Sequence, residues 1–234
     1  MLPAKQAEIE RIYLRSLGAG MQSLAVVSSN PGEGVTSLAI ALAQRHLLAG
    51  KSTLFVDLGG HGPNHQVAIP VGKQPETGPA AEPHLLTDSE GSYALLGIPA
   101  PRATASSLAW RNPGTLETHM KRWLDQFDAV IIDAGNFSQS ADDGVPAERV
   151  VSACGATLLV VMAGITTVPV VRRSCERIQS AGGQLAGCVF NDRHNPSLKR
   201  EMLRESARLP NALARIKNAL IHWIERNPLL SLDM

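Results

Sequence analysis

A doubly wound, mostly parallel α/β sheet with helices on both faces is the fold class this sequence predicts, and three observations predict it. The apolar run Leu24-Ala25-Val26-Val27 enters the glycine loop Ser28-Ser29-Asn30-Pro31-Gly32-Glu33-Gly34-Val35-Thr36-Ser37, which opens into Leu38-Ala39-Ile40-Ala41-Leu42-Ala43. This reads as strand, loop, helix. Two further apolar runs end on a carboxylate, at Asp57 and at Asp133. From Ala156 to Phe190 strand-like and helix-like stretches alternate, and strands joined by helices pair in parallel with both faces covered. Ligands of such sheets bind outside the carboxyl ends of the strands, where the loop and both acids fall.

Taken in order, about Pro3 to Leu17 suits an amphipathic helix, with Ile9, Ile12 and Leu17 between Glu8, Arg11 and Arg15. The helix after the glycine loop runs to about Ala49 and stops at Gly50, followed by the strand Ser52–Asp57. From Leu58 to about Pro83 the chain is rich in Gly, Pro, His and Asn and reads as a long loop. A short helix is expected near 89–96, a strand near 106–110 and a helix over 113–126. The β-branched run Phe127–Asp133 is the next strand. Strand 156–162, helix 169–181 and strand 184–190 follow, leaving Asn191 at the carboxyl edge of the sheet. A tail from Pro196 is expected to hold two helices, the last over about 211–226, and no boundary divides residues 1–234.

Composition narrows the function classes. At 234 residues and 44% hydrophobic the chain can bury a sizeable core as one domain. A net charge of +1 gives no bulk attraction to nucleic acid or to an anionic membrane, and no nucleic-acid partner is expected. Cys154, Cys175 and Cys188 are far apart and set in apolar segments, as small core residues are. The seven histidines show no zinc-finger spacing. The opening residues form no apolar run of signal-peptide length, and no stretch is long enough to span a bilayer, so a soluble cytoplasmic protein is expected.

A phosphate-binding loop uses glycines so that backbone N–H groups converge on phosphate oxygens at a helix N-terminus. Lys then reaches the β and γ phosphates, and Ser or Thr next to it holds magnesium. Pro31, Gly32, Glu33, Gly34, Thr36 and Ser37 keep this layout, but position 35 is Val. An acid ending a β-branched strand is the form in which a carboxylate holds magnesium through water, so Thr36, Asp57 and Asp133 are the candidate magnesium residues. The same two acids are equally suited to satisfying backbone donors at strand ends.

These residues resemble the deviant-Walker P-loop ATPases of the MinD and ParA type, and within them the bacterial tyrosine kinases that accompany polysaccharide co-polymerases. The resemblance covers about residues 8 to 192. The loop is similar to that subfamily's Pro-Gly-Glu-Gly-Lys-Ser loop; Asp57 falls at its Walker A′ position and Asp133 at Walker B. Pro63 with His65, Asn112-Pro113-Gly114-Thr115-Leu116 and Gly187-Cys188-Val189-Phe190-Asn191 match further stretches, the last being the strand whose terminal Asn reads adenine. Four departures fall on the site: Val35 for the lysine, Gly59 for a second aspartate, His61 for arginine and Gly135 for the proline after Walker B. No tyrosine follows Tyr93, so the family's tyrosine tail is missing.

The resemblance implies ATP or ADP with magnesium as ligand, bound at residues 31–37 and Asn191 with Val35 in the lysine's place. It further implies a membrane polysaccharide co-polymerase or another exopolysaccharide-machinery protein as partner, at the inner membrane, and a homo-oligomer. The leading expectation is a degenerate, tyrosine-kinase-like protein that regulates or scaffolds exopolysaccharide synthesis or export without efficient hydrolysis and without catalytic residues. Two rivals stand beside it. One is an active ATPase or kinase that recruits a lysine from elsewhere, with Lys51 and Lys73 nearest in sequence. The other is a MinD-like positioning factor using the last helix on membranes, where Leu213, Ile216, Leu220, Trp223 and Ile224 share a face and Arg215, Lys217 and Arg226 lie elsewhere. Glu8, Arg11 and Arg15 are similar to the Glu-x-x-Arg-x-x-Arg element through which these kinases form rings, with the last spacing one residue too long.

Overall fold

The structure is a computed structural model; it describes residues 6–59, 78–79, 81–87, 94–99, 104–138, 144–193, 202, 206 and 221–224. The chain divides into two compact units, one of Met1–Val161 with Thr166–Asn191, the other of Met162–Ile165 with Asp192–Met234. Each is described by itself.

The first unit is built on seven strands, β1 (Ser23–Ser28), β2 (Thr53–Asp57), β3 (His84–Thr87), β4 (Ala94–Ile98), β5 (Ala129–Asn136), β6 (Ala156–Met162) and β7 (Leu185–Asn191), in the spatial order β3-β4-β2-β5-β1-β6-β7. Parallel pairing joins β4 to β2, β2 to β5, β5 to β1 and β1 to β6; β3 runs antiparallel to β4. This is the doubly wound, mostly parallel sheet that the sequence predicts. The central strands β1, β2 and β6 are buried along their whole length and β5 at all but its last residue, Asn136, which is why they read as unbroken apolar runs rather than as alternating ones.

Helices cover both faces. On one lie α1 (Ala7–Arg15), a 3₁₀ turn at Leu17–Ala19 and α2 (Val35–Leu48), whose Ile9, Tyr13, Leu17, Leu38 and Leu42 pack with Leu24 and Val26 of β1. On the other lie α3 (Thr104–Arg111), α4 (Thr115–Leu124), α5 (Ala147–Ala153) and α6 (Val168–Ser180), with Trp110, Leu116, Val150 and Ile178 on Ala25 and Val27. The alternation of β1 side chains between the two clusters is the pleat dividing the core into two layers. Glu10 of α1 pairs with Arg45 of α2, whose guanidinium lies 4.2 Å from the Tyr13 ring centroid. Glu8, Arg11 and Arg15 are exposed.

Of the three cysteines expected as small core residues Cys154 is buried, Cys175 partly buried and Cys188 exposed. Two expected elements also differ. The stretch expected as a helix near 89–96 contributes β4, where Leu95 and Ile98 are buried, Leu95 paired with the buried Leu86 of β3, and a Cβ on Gly97 would meet the Phe55 carbonyl at 2.5 Å. Only glycine lets β4 lie this close to β2, and that pairing overrides the helix propensity of Ala94, Leu95 and Leu96. The strand expected near 106–110 lies inside α3. The outer side of β2 is already taken by β4, so Trp110 is buried in the helix layer instead, 5.9 Å from Trp123 and 5.3 Å from His119 between ring centroids.

In the second unit residues 202, 206 and 221–224 are helical, the Ser206 hydroxyl donates to the Met202 carbonyl at 2.6 Å, and Ile224 is buried while Trp223 is exposed. Burial thus separates two residues expected on one face. Leu213, Arg215, Ile216, Lys217, Leu220 and Arg226, together with His61, Pro63, His65 and Lys73, lie outside the described residues. Among the described residues no helix is long and apolar enough to cross a membrane.

Candidate nucleotide-binding site

The glycine loop links β1 to α2 at the carboxyl edge of the sheet. Gly32 and Gly34 take φ of +80° and +103°, values open to glycine at little cost. Gly34 precedes α2, and no side chain caps that helix, so its first N–H groups face the loop without a side-chain acceptor. A Cβ on Gly34 would lie 2.7 Å from the Asn191 amide nitrogen, which donates to the Glu33 carbonyl at 2.9 Å. Asn191 therefore closes on the loop itself, where a Cβ at position 34 would push its amide aside.

Glu33 folds back into the loop and is buried. One carboxylate oxygen accepts the backbone N–H groups of Ser29 (3.0 Å) and Asn30 (3.2 Å); the other accepts the Asn30 amide (3.1 Å) and the Thr166 hydroxyl just before α6. The Ser29 hydroxyl meets that of Ser174 at 2.8 Å, and the Ser138 hydroxyl donates to the Ser29 carbonyl at 2.8 Å. The first half of the loop is thus braced by Ser138, just after β5, and by Thr166 and Ser174 at and before α6. Nothing in the spacing of the sequence links Glu33 to Thr166, Ser138 or Ser174.

The acids expected at magnesium come together. Asp57, the last residue of β2, stands in register beside Asp133 of β5, a strand that continues to Asn136 instead of ending on the acid as expected. Asp133 accepts the Thr36 hydroxyl at 2.5 Å and the Gly135 N–H at 2.9 Å, and Asp57 accepts the Gly59 N–H at 3.1 Å. Burial first, and then the Asp133 charge, push the Asp57 carboxyl well above the usual carboxylate range. A folded-state affinity for the proton above that of the unfolded chain makes stability fall as pH rises past about 4, until the folded group has ionised. The melting temperature of the apoprotein is expected to fall over that range and Asp57→Asn to flatten the profile, about 1.4 kcal/mol for each tenfold difference in proton affinity; a wild-type profile rising over the same range would contradict it.

Two carboxylates and a hydroxyl are hard oxygen donors that fit magnesium, with phosphate and water completing the shell. Among the described residues no group of three or more His, Cys, Asp or Glu is placed to hold a metal by itself. Val35 is turned the other way, buried in the apolar layer of α1, α2 and β1. Pro31 and Gly32 are exposed at the tip of the loop, and Ser37 is partly buried in the first turn of α2.

No protein-family model and no curated protein matches the sequence. Solved structures do match. The kinase domain of Escherichia coli tyrosine kinase ETK is 20% identical, over 78% of this chain and 72% of that one, with a TM-score of 0.59. The chimerical protein CapA2B2 is 21% identical over 80% and 85%, with a TM-score of 0.61. The Pyrococcus furiosus cell division ATPase MinD is 19% identical over 75% and 74%, at 0.57. The chain has the fold of the deviant-Walker P-loop ATPases.

Against that fold the departures acquire physical form. At Val35 an apolar side chain takes part in the core where the P-loop pattern has a cation. Gly59 is buried and gives its N–H to Asp57. Gly135 takes a φ of +67° that proline cannot adopt, and donates the N–H that proline lacks. Lys51 stands at the amino end of β2, paired with Asp128 at 3.7 Å, at the opposite edge of the parallel sheet from the loop. It is not a replacement for the missing lysine.

Proposed function

We propose that this protein is a degenerate P-loop protein that binds ATP or ADP with magnesium without hydrolysing it efficiently, and that it serves as a regulatory or scaffolding component of exopolysaccharide synthesis or export. The observation that carries the reading is the pairing of a braced loop, with Thr36 on Asp133 beside Asp57, with a Val35 side chain committed to the core. The first half speaks for retained binding. The second removes the cation that stabilises charge on a transferring phosphoryl group, which is worth orders of magnitude in rate.

Pro31, Gly32, Glu33, Gly34, Val35, Thr36 and Ser37 line the phosphate side of the proposed site through their backbone, Asn191 flanks it, and Thr36, Asp57 and Asp133 would hold the magnesium ion. The pathway assignment and a membrane polysaccharide co-polymerase as partner rest on likeness to tyrosine kinase domains.

Two measurements test the reading together. Millimolar ADP with magnesium is expected to raise the melting temperature by mass action, and phosphate release from ATP is expected to stay at the blank. No thermal shift would leave the loop a structural remnant. Steady phosphate release that disappears in Thr36→Ala with Asp133→Ala would identify an active ATPase.

A further inference from the structure

Three carboxylates are buried at this one edge of the sheet, Glu33, Asp57 and Asp133. Among the described residues Glu33 accepts from the Ser29 and Asn30 backbone N–H groups, the Asn30 amide and the Thr166 hydroxyl, all of them neutral. Both Glu33 oxygens meet only donors, the environment of an ionised carboxylate. Asp57 and Asp133 have a use once a divalent cation is present, but Glu33 does not face that pair. Its bonds run to the start of the loop and to Thr166, so its charge stays fixed inside the phosphate loop. Backbone dipoles at the start of α2 remain as the attraction for an anion, and Val35 adds nothing to them.

We propose that Glu33 sets the charge of the ligand this loop accepts: with Val35 standing where the loop pattern has its lysine, the Glu33 carboxylate makes the loop refuse a free phosphate anion and take a nucleotide only as its complex with a divalent cation. This rests on the nucleotide-binding reading above and adds a specificity to it. A full charge within one loop, at the effective dielectric of a partly buried site, changes affinity for a polyanion about ten- to a hundredfold. Glu33 thus has two tasks. Its oxygens brace the loop, and its charge screens the ligand.

The experiment is titration of the full chain with a fluorescent N-methylanthraniloyl ADP, in excess magnesium and in EDTA. For the wild type the ratio of the two dissociation constants is expected to be about a hundredfold or more in favour of magnesium. Val35→Lys and Glu33→Gln are each expected to cut that ratio about tenfold, chiefly by improving binding in EDTA. Glu33→Gln leaves two donors without acceptors and is open to misfolding, so Asn30→Lys provides the same test. It places an ammonium group on the Glu33 carboxylate without removing its backbone donors, and the ratio should fall likewise. A wild-type ratio near one overturns the proposal and leaves nucleotide binding standing. A ratio that falls in Val35→Lys but in neither Glu33→Gln nor Asn30→Lys overturns the role of Glu33. No binding under either condition overturns both the proposal and the reading it rests on.

Discussion

Val35→Lys is expected to tighten ATP binding about ten- to a hundredfold while phosphate release stays at the blank. One charge-assisted contact to phosphate is worth roughly 1.5–3 kcal/mol, which converts to that range of affinity. The aliphatic stem of lysine can follow the apolar surface that Val35 now covers between α1, α2 and β1, leaving the ammonium group at the loop. Overpacking at a residue buried this well costs about 1–3 kcal/mol, so the apoprotein should melt lower than the wild type even as its ligand binds better. Hydrolysis should not return, because Gly59 still supplies no carboxylate and its N–H remains tied to Asp57. Affinity and turnover would be measured for Val35→Lys alone and with Gly59→Asp added. Turnover by the single variant at an ordinary enzymic rate, about 1–10 per second, would show a site with one catalytic lesion instead of several.

Gly135→Pro should be among the most damaging substitutions in the chain, although it restores the residue that the resembling family carries. Proline holds φ near −65°, whereas Gly135 sits at +67°, and its ring would remove the N–H that Asp133 accepts at 2.9 Å. Asp133 is fully buried, so a lost donor leaves carboxylate oxygen without water to replace it. The expected loss is about 3 kcal/mol or more in urea unfolding. Gly135→Ala keeps the donor but holds a side chain in the left-handed backbone region, which costs about 1–2 kcal/mol. The two variants therefore separate conformation from hydrogen bonding. Equal stability of Gly135→Pro and wild type would mean that the end of β5 rearranges freely, and that the hold of Gly135 on Asp133 is dispensable.

The contrast between these positions shows where the sequence was informative. Val35 was legible because the phosphate loop is a contiguous pattern in which each position has a local task, so one wrong residue stands out. The loss at Gly135 was legible as a departure, but not its consequence, since neither a φ of +67° nor an N–H aimed at Asp133 can be read from a residue name. The strand near 94–98 was missed for a related reason. Ala, Leu and Leu favour a helix locally, and only the open side of β2, with Gly97 beneath the Phe55 carbonyl, makes them a strand.

By itself the sequence determined the doubly wound sheet and the carboxyl edge on which its ligand residues gather, because apolar periodicity, strand-ending acids and a glycine loop are short-range patterns. It determined equally that the lysine was gone. Tertiary structure alone decided what surrounds those residues. It put Val35 in the core, Asp57 against Asp133, Asn191 on Gly34, and Glu33 between the start of its own loop and Thr166, 133 residues further along the chain. Such pairings depend on which strands become neighbours, and strand order is settled by long-range burial that no local pattern encodes.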